Sequence, residues 1–178
     1  NEFSVPDNLY IIGTMNTADR SIALLDAALR RRFAFVEIMP RSDLLNDCMV
    51  DSEESQVPLG KLLRNLNESL CAQLDRDHQI GHSYLLRVSR AKPEDRLEML
   101  EHVWNHQIMP LLEEYMYSRP DKLAAMLAPF GSGSSQTEAV DDLAFVPQRL
   151  EGEDLLAALS ELSRDAPVSA DETEPTSA

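Results

Sequence analysis

Ile11-Ile12-Gly13-Thr14-Met15-Asn16-Thr17-Ala18-Asp19-Arg20-Ser21, continued by Leu25-Asp26-Ala27-Ala28-Leu29-Arg30-Arg31-Arg32-Phe33, is the stretch on which the fold turns. Its apolar opening reaches back to Asn8. Residues 8–15 form a short β-rich run after Pro6, the pattern of a buried central strand in an α/β sheet. The run gives way to polar residues 16–21, where Ser21 or Asp19 is a candidate cap for a following helix. Such a helix places Ile22, Leu25 and Leu29 on one face. It closes on three arginines, which suit the negative end of a helix. Residues 33–38 read as a second strand, closed by Pro40. Residues 1–40 thus read as strand, helix, strand, part of a parallel-sheet unit. The abrupt start at Asn1 reads as a cut from a longer protein.

Working outward, residues 41–58 are polar and acidic and read as a connecting loop. Residues 59–74 carry Leu62, Leu66, Leu70 and Leu74 at a spacing of four, the stripe of an amphipathic helix. Asp75-Arg76-Asp77 breaks it. Residues 79–86 read as a loop with a turn at Gly81, running toward a short strand. Pro93 opens the next helix, with Leu97, Leu100, Trp104 and Ile108 inward. Pro110 is expected to kink it or to start a new turn, because proline lacks the amide proton and its ring crowds the preceding turn. Residues 111–115 continue helically, and 121–127 form a last short helix. From Gly131 the composition shifts to a Gly/Ser linker. Leu155, Leu156, Leu159 and Leu162 mark a weak helix over 151–164, and the end is Pro/Ser/Thr/Glu-rich. The expectation is an α/β sheet fragment over residues 1–40, a small α-helical lid over 41–130, and a disordered acidic tail over 131–178.

Composition narrows the function classes. The 178 residues are 43% hydrophobic, enough for a packed core. The net charge is −15. Residues 131–178 hold 11 acids and 2 arginines, a net of −9, so the acidity belongs largely to the tail. Neither part is a basic nucleic-acid surface, which needs clustered Lys and Arg. No apolar run approaches the ~20 residues that span a bilayer, so no membrane contact is expected. Cys48 and Cys71 do not make a disulfide framework and read as free intracellular thiols. No CxxC or His/Cys cluster suggests a metal site.

The two quoted blocks, Asn16-Thr17-Ala18-Asp19-Arg20-Ser21 and Leu29-Arg30-Arg31-Arg32-Phe33, resemble the McrB family of AAA+ proteins. These are the nucleotide-hydrolysing subunits of modification-dependent restriction systems. The similarity continues in Gln79-Ile80-Gly81-His82-Ser83-Tyr84 and in Ile108-Met109-Pro110-Leu111-Leu112-Glu113-Glu114-Tyr115, and covers roughly residues 5–128.

The resemblance implies a set of roles. Asn16, at the carboxyl end of a central strand, occupies the place where α/β proteins bind ligands. Its amide can donate to a phosphate and accept from a water at once. The family's equivalent residue orients the attacking water; read without the family, Asn16 caps a helix. Asp19 and Arg20 contact nucleotide, pair with each other, or touch a partner nuclease subunit of the McrC type. Arg31, then Arg32, stands where AAA+ rings supply an arginine finger to the neighbouring subunit. Guanidinium is a permanently charged planar donor suited to developing phosphoryl charge. Helical spacing forbids all three arginines from pointing to one place, and Arg30 is read as structural. A solvated basic helix end is the plainer account of the three. His82 and Ser83 fall at the lid edge over the nucleotide. Gln79 stands where some relatives have arginine.

The expected cofactor is GTP or ATP with Mg²⁺. The expected assembly is a cytoplasmic hexameric ring with a McrC-like nuclease, reaching DNA through other domains. No Gly-x-x-x-x-Gly-Lys-Ser/Thr phosphate loop occurs in the 178 residues, so this stretch alone is expected to be inactive. Two other readings stay open. One is a MoxR or dynein-related ATPase that remodels protein complexes. The other is a degenerate AAA+ assembly scaffold.

Overall fold

The computed structural model describes residues 6–15, 31–131 and 145–164. The chain divides into two compact units, Asn1–Glu37 and Ile38–Ala178.

In the first unit, residues 8–15 and 33–37 carry no strand ladder among the described residues. Their apolar side chains are exposed, Ile12 by 92%. A buried parallel strand takes its hydrogen bonds from neighbours on both sides. No such neighbours lie among the described residues. The helix expected after residue 21 lies outside the described residues except for Arg31 and Arg32, which sit in a turn.

The second unit is a short sheet followed by helices. Residues 41–58, read as loop, instead hold a 3₁₀ turn at Ser42–Leu45 and an antiparallel hairpin. Strand β1 (Met49–Asp51) pairs with β2 (Gln56–Pro58) in the register Val50 to Val57. Val50 and Val57 face the core, which is why so acidic a segment forms strands at all. Helix α1 (Leu59–Gln73) follows directly and buries Leu59, Leu62, Leu63, Leu66 and Leu70. Its carboxyl end is held by Arg119 Nη1 and Lys122 Nζ, which donate to the Gln73 carbonyl at 2.5 and 3.4 Å. Cations there offset the orphan carbonyls and the helix dipole.

Helix α2 (Ser83–Arg90) stands where the sequence suggested a loop and strand. Its buried Leu85 and Val88 are three apart, a helical spacing too brief to stand out in sequence. After a 3₁₀ turn at Pro93–Asp95 comes α3 (Arg96–Val103), then a π-helical turn at Trp104–Ile108, then α4 (Met109–Tyr115). The Met109 amide donates to the Trp104 carbonyl, five residues back. This widened turn is how the helix carries Pro110 without a break, since proline has no amide proton and crowds the carbonyl four residues earlier. Helix α5 (Pro120–Met126) and a 3₁₀ turn at Ala128–Phe130 lead to Gly131.

Helix α6 (Gly152–Leu162) forms where the leucine pattern placed a weak helix. Its packing was not anticipated. Leu155, Leu156 and Leu159 are fully buried, and α6 packs on α1, β2, α3 and the turn at Ala128–Phe130. Asn65 Nδ2 on α1 donates to the carbonyls of Leu162 and Arg164 at its far end. Residues 145–164 are therefore part of the lid core rather than of a separate tail. Trp104 stacks on Phe130 at 5.3 Å in the middle of that core. Cys48 is buried and Cys71 exposed, and both are free thiols. Among the described residues no helix is long and apolar enough to cross a membrane.

Candidate functional site

The part of the lid that carries predicted site residues is the turn from Gln79 to Ser83, and α1 positions it. The buried stripe of α1 includes one polar residue, Asn67, which is 8% exposed. Its Oδ1 accepts from the Ile80 amide at 2.7 Å, and its Nδ2 donates to the Ile80 carbonyl at 3.0 Å. The Ile80 side chain is fully buried beside it. Gln79 turns back on its own loop, its Nε2 donating to the Arg76 carbonyl at 2.9 Å.

His82 stands at the start of α2, half-buried, and Ser83 is the first helical residue and exposed. The backbone amide of Arg41 donates to His82 Nδ1 at 3.2 Å. An Nδ1 that accepts puts the neutral ring's proton on Nε2, so this imidazole is a donor at Nε2. Nearby, the Arg41 guanidinium hydrogen-bonds the Asp43 carboxylate and holds it below the usual carboxylate range. A shallow, open pocket of about 240 Å³ lies alongside, lined by Pro40, Ser42, Arg64, Asn67, Glu68, Cys71 and Gln79.

Of the predicted site residues, the structure brings His82 and Ser83 together at the amino end of α2. Arg31 and Arg32 belong to the first unit, both exposed. Asn16, Asp19 and Arg20, with Arg30, lie outside the described residues. Among the described residues, no three His, Cys, Asp or Glu side chains come together as a metal site. Sequence reasoning missed Asn67. The signal was present: an amide four residues after Leu63 and three before Leu70, on a stripe that otherwise holds Gly60 and leucines.

Residues 58–124, from the end of β2 through most of α5, match the family described as the McrB alpha-helical lid domain. The chain is also 40% identical over 131 residues to the Type IV methyl-directed restriction enzyme EcoKMcrB subunit of Escherichia coli (strain K12). The chain is McrB-type. That match covers 67% of this chain and 28% of the relative, so the chain spans a little over a quarter of the relative's length. The McrB-type lid here includes the turn at 79–83, the π-helical turn and α4 within the matched residues. The hairpin strand β1 and helix α6 fall outside them and complete the same core.

Proposed function

We propose that this chain is part of a nucleotide-hydrolysing motor subunit that drives a restriction complex acting on modified DNA. The observation that carries the reading is the 40% identity to a methyl-directed restriction enzyme subunit, joined to the McrB lid match over residues 58–124.

In this reading GTP or ATP, with Mg²⁺, binds between subunits of a cytoplasmic hexameric ring. The phosphate-binding and magnesium-holding elements lie in parts of the protein beyond this stretch. Asn16 orients the attacking water from within the subunit. Arg31 reaches the neighbouring subunit's nucleotide as a permanently charged donor, with Arg32 the second choice. Asp19 and Arg20 face the nucleotide or a McrC-like nuclease partner. DNA is met through other domains of the complex.

On the lid, the chemistry of the donor set fits a polar, anionic ligand. His82, with Nδ1 occupied by the Arg41 amide, offers an Nε2 proton, and Ser83 offers an exposed hydroxyl. Neither side chain has the reach or charge of an arginine. Gln79 is committed to the Arg76 carbonyl. The lid's share of nucleotide binding is then hydrogen bonding rather than charge.

The test is steady-state GTP and ATP hydrolysis by the protein at its natural length, wild type against Arg31→Ala, with mixed subunits. A dead variant partly restored by subunits that keep Arg31 but have a disabled phosphate loop supports action across an interface. Normal hydrolysis by Arg31→Ala removes the finger assignment. Absence of hydrolysis of either nucleotide by the wild type, with its nuclease partner present, removes the motor reading.

A further inference from the structure

Asn67 is the one polar side chain on the buried face of α1. A leucine there would extend the stripe formed by Leu63, Leu66 and Leu70 and satisfy the helix equally well. Burying an amide instead is costly unless its donor and acceptor are both used. Both are used, and neither serves α1. Oδ1 takes the Ile80 amide proton at 2.7 Å and Nδ2 gives a proton to the Ile80 carbonyl at 3.0 Å, 13 residues further along the chain.

Two hydrogen bonds to one residue's backbone fix the peptide planes on both sides of it. The plane before Ile80 sets how Gln79 arrives, and the plane after it sets how Gly81 and His82 leave. The buried Ile80 side chain anchors the same point a third time. Two residues on, His82 is held from the other direction by the Arg41 amide at 3.2 Å. The direction in which α2 starts, and with it the placement of His82 and Ser83, is therefore set from α1.

We propose that Asn67 is a positioning residue, whose paired hydrogen bonds to the Ile80 backbone set the lid turn 79–83 for contact with bound nucleotide. The inference rests on the reading of this turn as the nucleotide-facing edge of the lid. Its role in this proposal is to act through Ile80 on His82 and Ser83.

The experiment compares Asn67→Asp, Asn67→Leu and His82→Ala with wild type, in the protein at its natural length. It reads nucleotide KM and kcat together with hydrogen exchange along the lid. Aspartate keeps the acceptor for the Ile80 amide but, ionised, has no proton for the Ile80 carbonyl. Leucine keeps the packing and loses both bonds. The expected result is a KM raised about tenfold for either Asn67 variant, with kcat within about twofold of wild type. Exchange rises over residues 79–83 and stays at the wild-type level in α3 and α6. Three results overturn the proposal. Exchange that rises across the whole lid makes Asn67 only a stabilising residue. Exchange that rises at 79–83 with KM unchanged, while His82→Ala still raises KM, separates the turn's order from nucleotide binding. Exchange at 79–83 that does not change denies the coupling itself. If His82→Ala also leaves KM unchanged, the failure lies in the nucleotide-edge reading.

Discussion

The Glu101 carboxylate on α3 accepts the backbone amide of Gly152, the first residue of α6. A carboxylate at a helix amino terminus meets both an orphan amide and the positive end of the dipole. Gly152 adopts φ +54, a left-handed backbone in which a β-carbon is strained. The two residues together aim α6 onto the lid. Glu101→Ala is expected to lower folding stability by about 1 kcal/mol. Gly152→Ala should cost about 1–2 kcal/mol from backbone strain alone, since a β-carbon there would meet no atom within 4 Å. Leu159→Ala, in the buried face of α6, should cost about 2–5 kcal/mol. Denaturant unfolding followed by circular dichroism measures all three. A Leu159→Ala change with no effect would return α6 to the status of a loose tail.

Gly60 provides a test whose sign is informative. Glycine to alanine inside a helix ordinarily gains about 1 kcal/mol. A β-carbon on Gly60 would lie 2.6 Å from Asn46 Oδ1 and 2.9 Å from the Ser42 carbonyl oxygen. The side chain of Asn46 can swing away, but the carbonyl belongs to the 3₁₀ turn packed on α1. Gly60→Ala is therefore expected to destabilise by about 1–3 kcal/mol. A rise in midpoint denaturant concentration would show that the turn at Ser42–Leu45 can move away from α1.

The two thiols should differ in reactivity. Burial pushes the Cys48 thiol pKa up, with Arg96 offsetting part of the effect, so little thiolate forms at neutral pH. Cys71 is exposed. One equivalent of a maleimide or aromatic disulfide reagent should enter at Cys71 in the native protein. Cys48 should react only as the lid unfolds. Mass spectrometry of the labelled peptides reads the result, and equal labelling of both would contradict the packing of β1 on the core.

Acid should weaken one contact selectively. Asp75 accepts from His78 Nδ1 at 2.6 Å, and this hydrogen bond chiefly holds its carboxyl below the usual range. A depressed carboxylate pKa adds stability above its unfolded value. That contribution disappears as pH falls through the lower folded value. The window is thus below about pH 4. Because the Asp75 side chain is only partly buried, 36% exposed, Asp75→Asn should cost only about 0.5 kcal/mol at neutral pH. The difference from wild type should shrink toward zero as pH falls below about 4. Unfolding curves at neutral, mildly acidic and strongly acidic pH test this, and a difference that grows in acid would reverse the assignment.

The long periodic elements were legible because their signal is local. The leucines of α1, the inward residues of α3 through the π-helical turn, and the leucine set of α6 each announce a helix at a 3.6-residue spacing. The elements that were missed owe their form to distant contacts. Strands β1 and β2 are three residues each and read as acidic loop until Val50 and Val57 find the core. Helix α2 is eight residues, with only two buried positions. Of the two outcomes expected at Pro110, a kink or a new turn, the structure shows the second: α4 starts at Met109, directly after a π-helical turn whose Trp104 and Ile108 are both held in the core.

For the site, the quoted motifs by themselves determined the family and named His82 and Ser83 as lid residues, because such spacing depends on residue identity alone. The sequence also determined where the helix of residues 59–74 would lie, to within one residue of its carboxyl end. Only the tertiary structure decided that Asn67 hydrogen-bonds both backbone groups of Ile80, 13 residues further along the chain. It also decided that α6 closes the lid core, and that the Arg41 amide selects the tautomer of His82. The physical reason is common to all three. Each is a hydrogen bond or a packing contact between residues 13 or more positions apart, and such pairings carry no periodic trace in the chain that makes them.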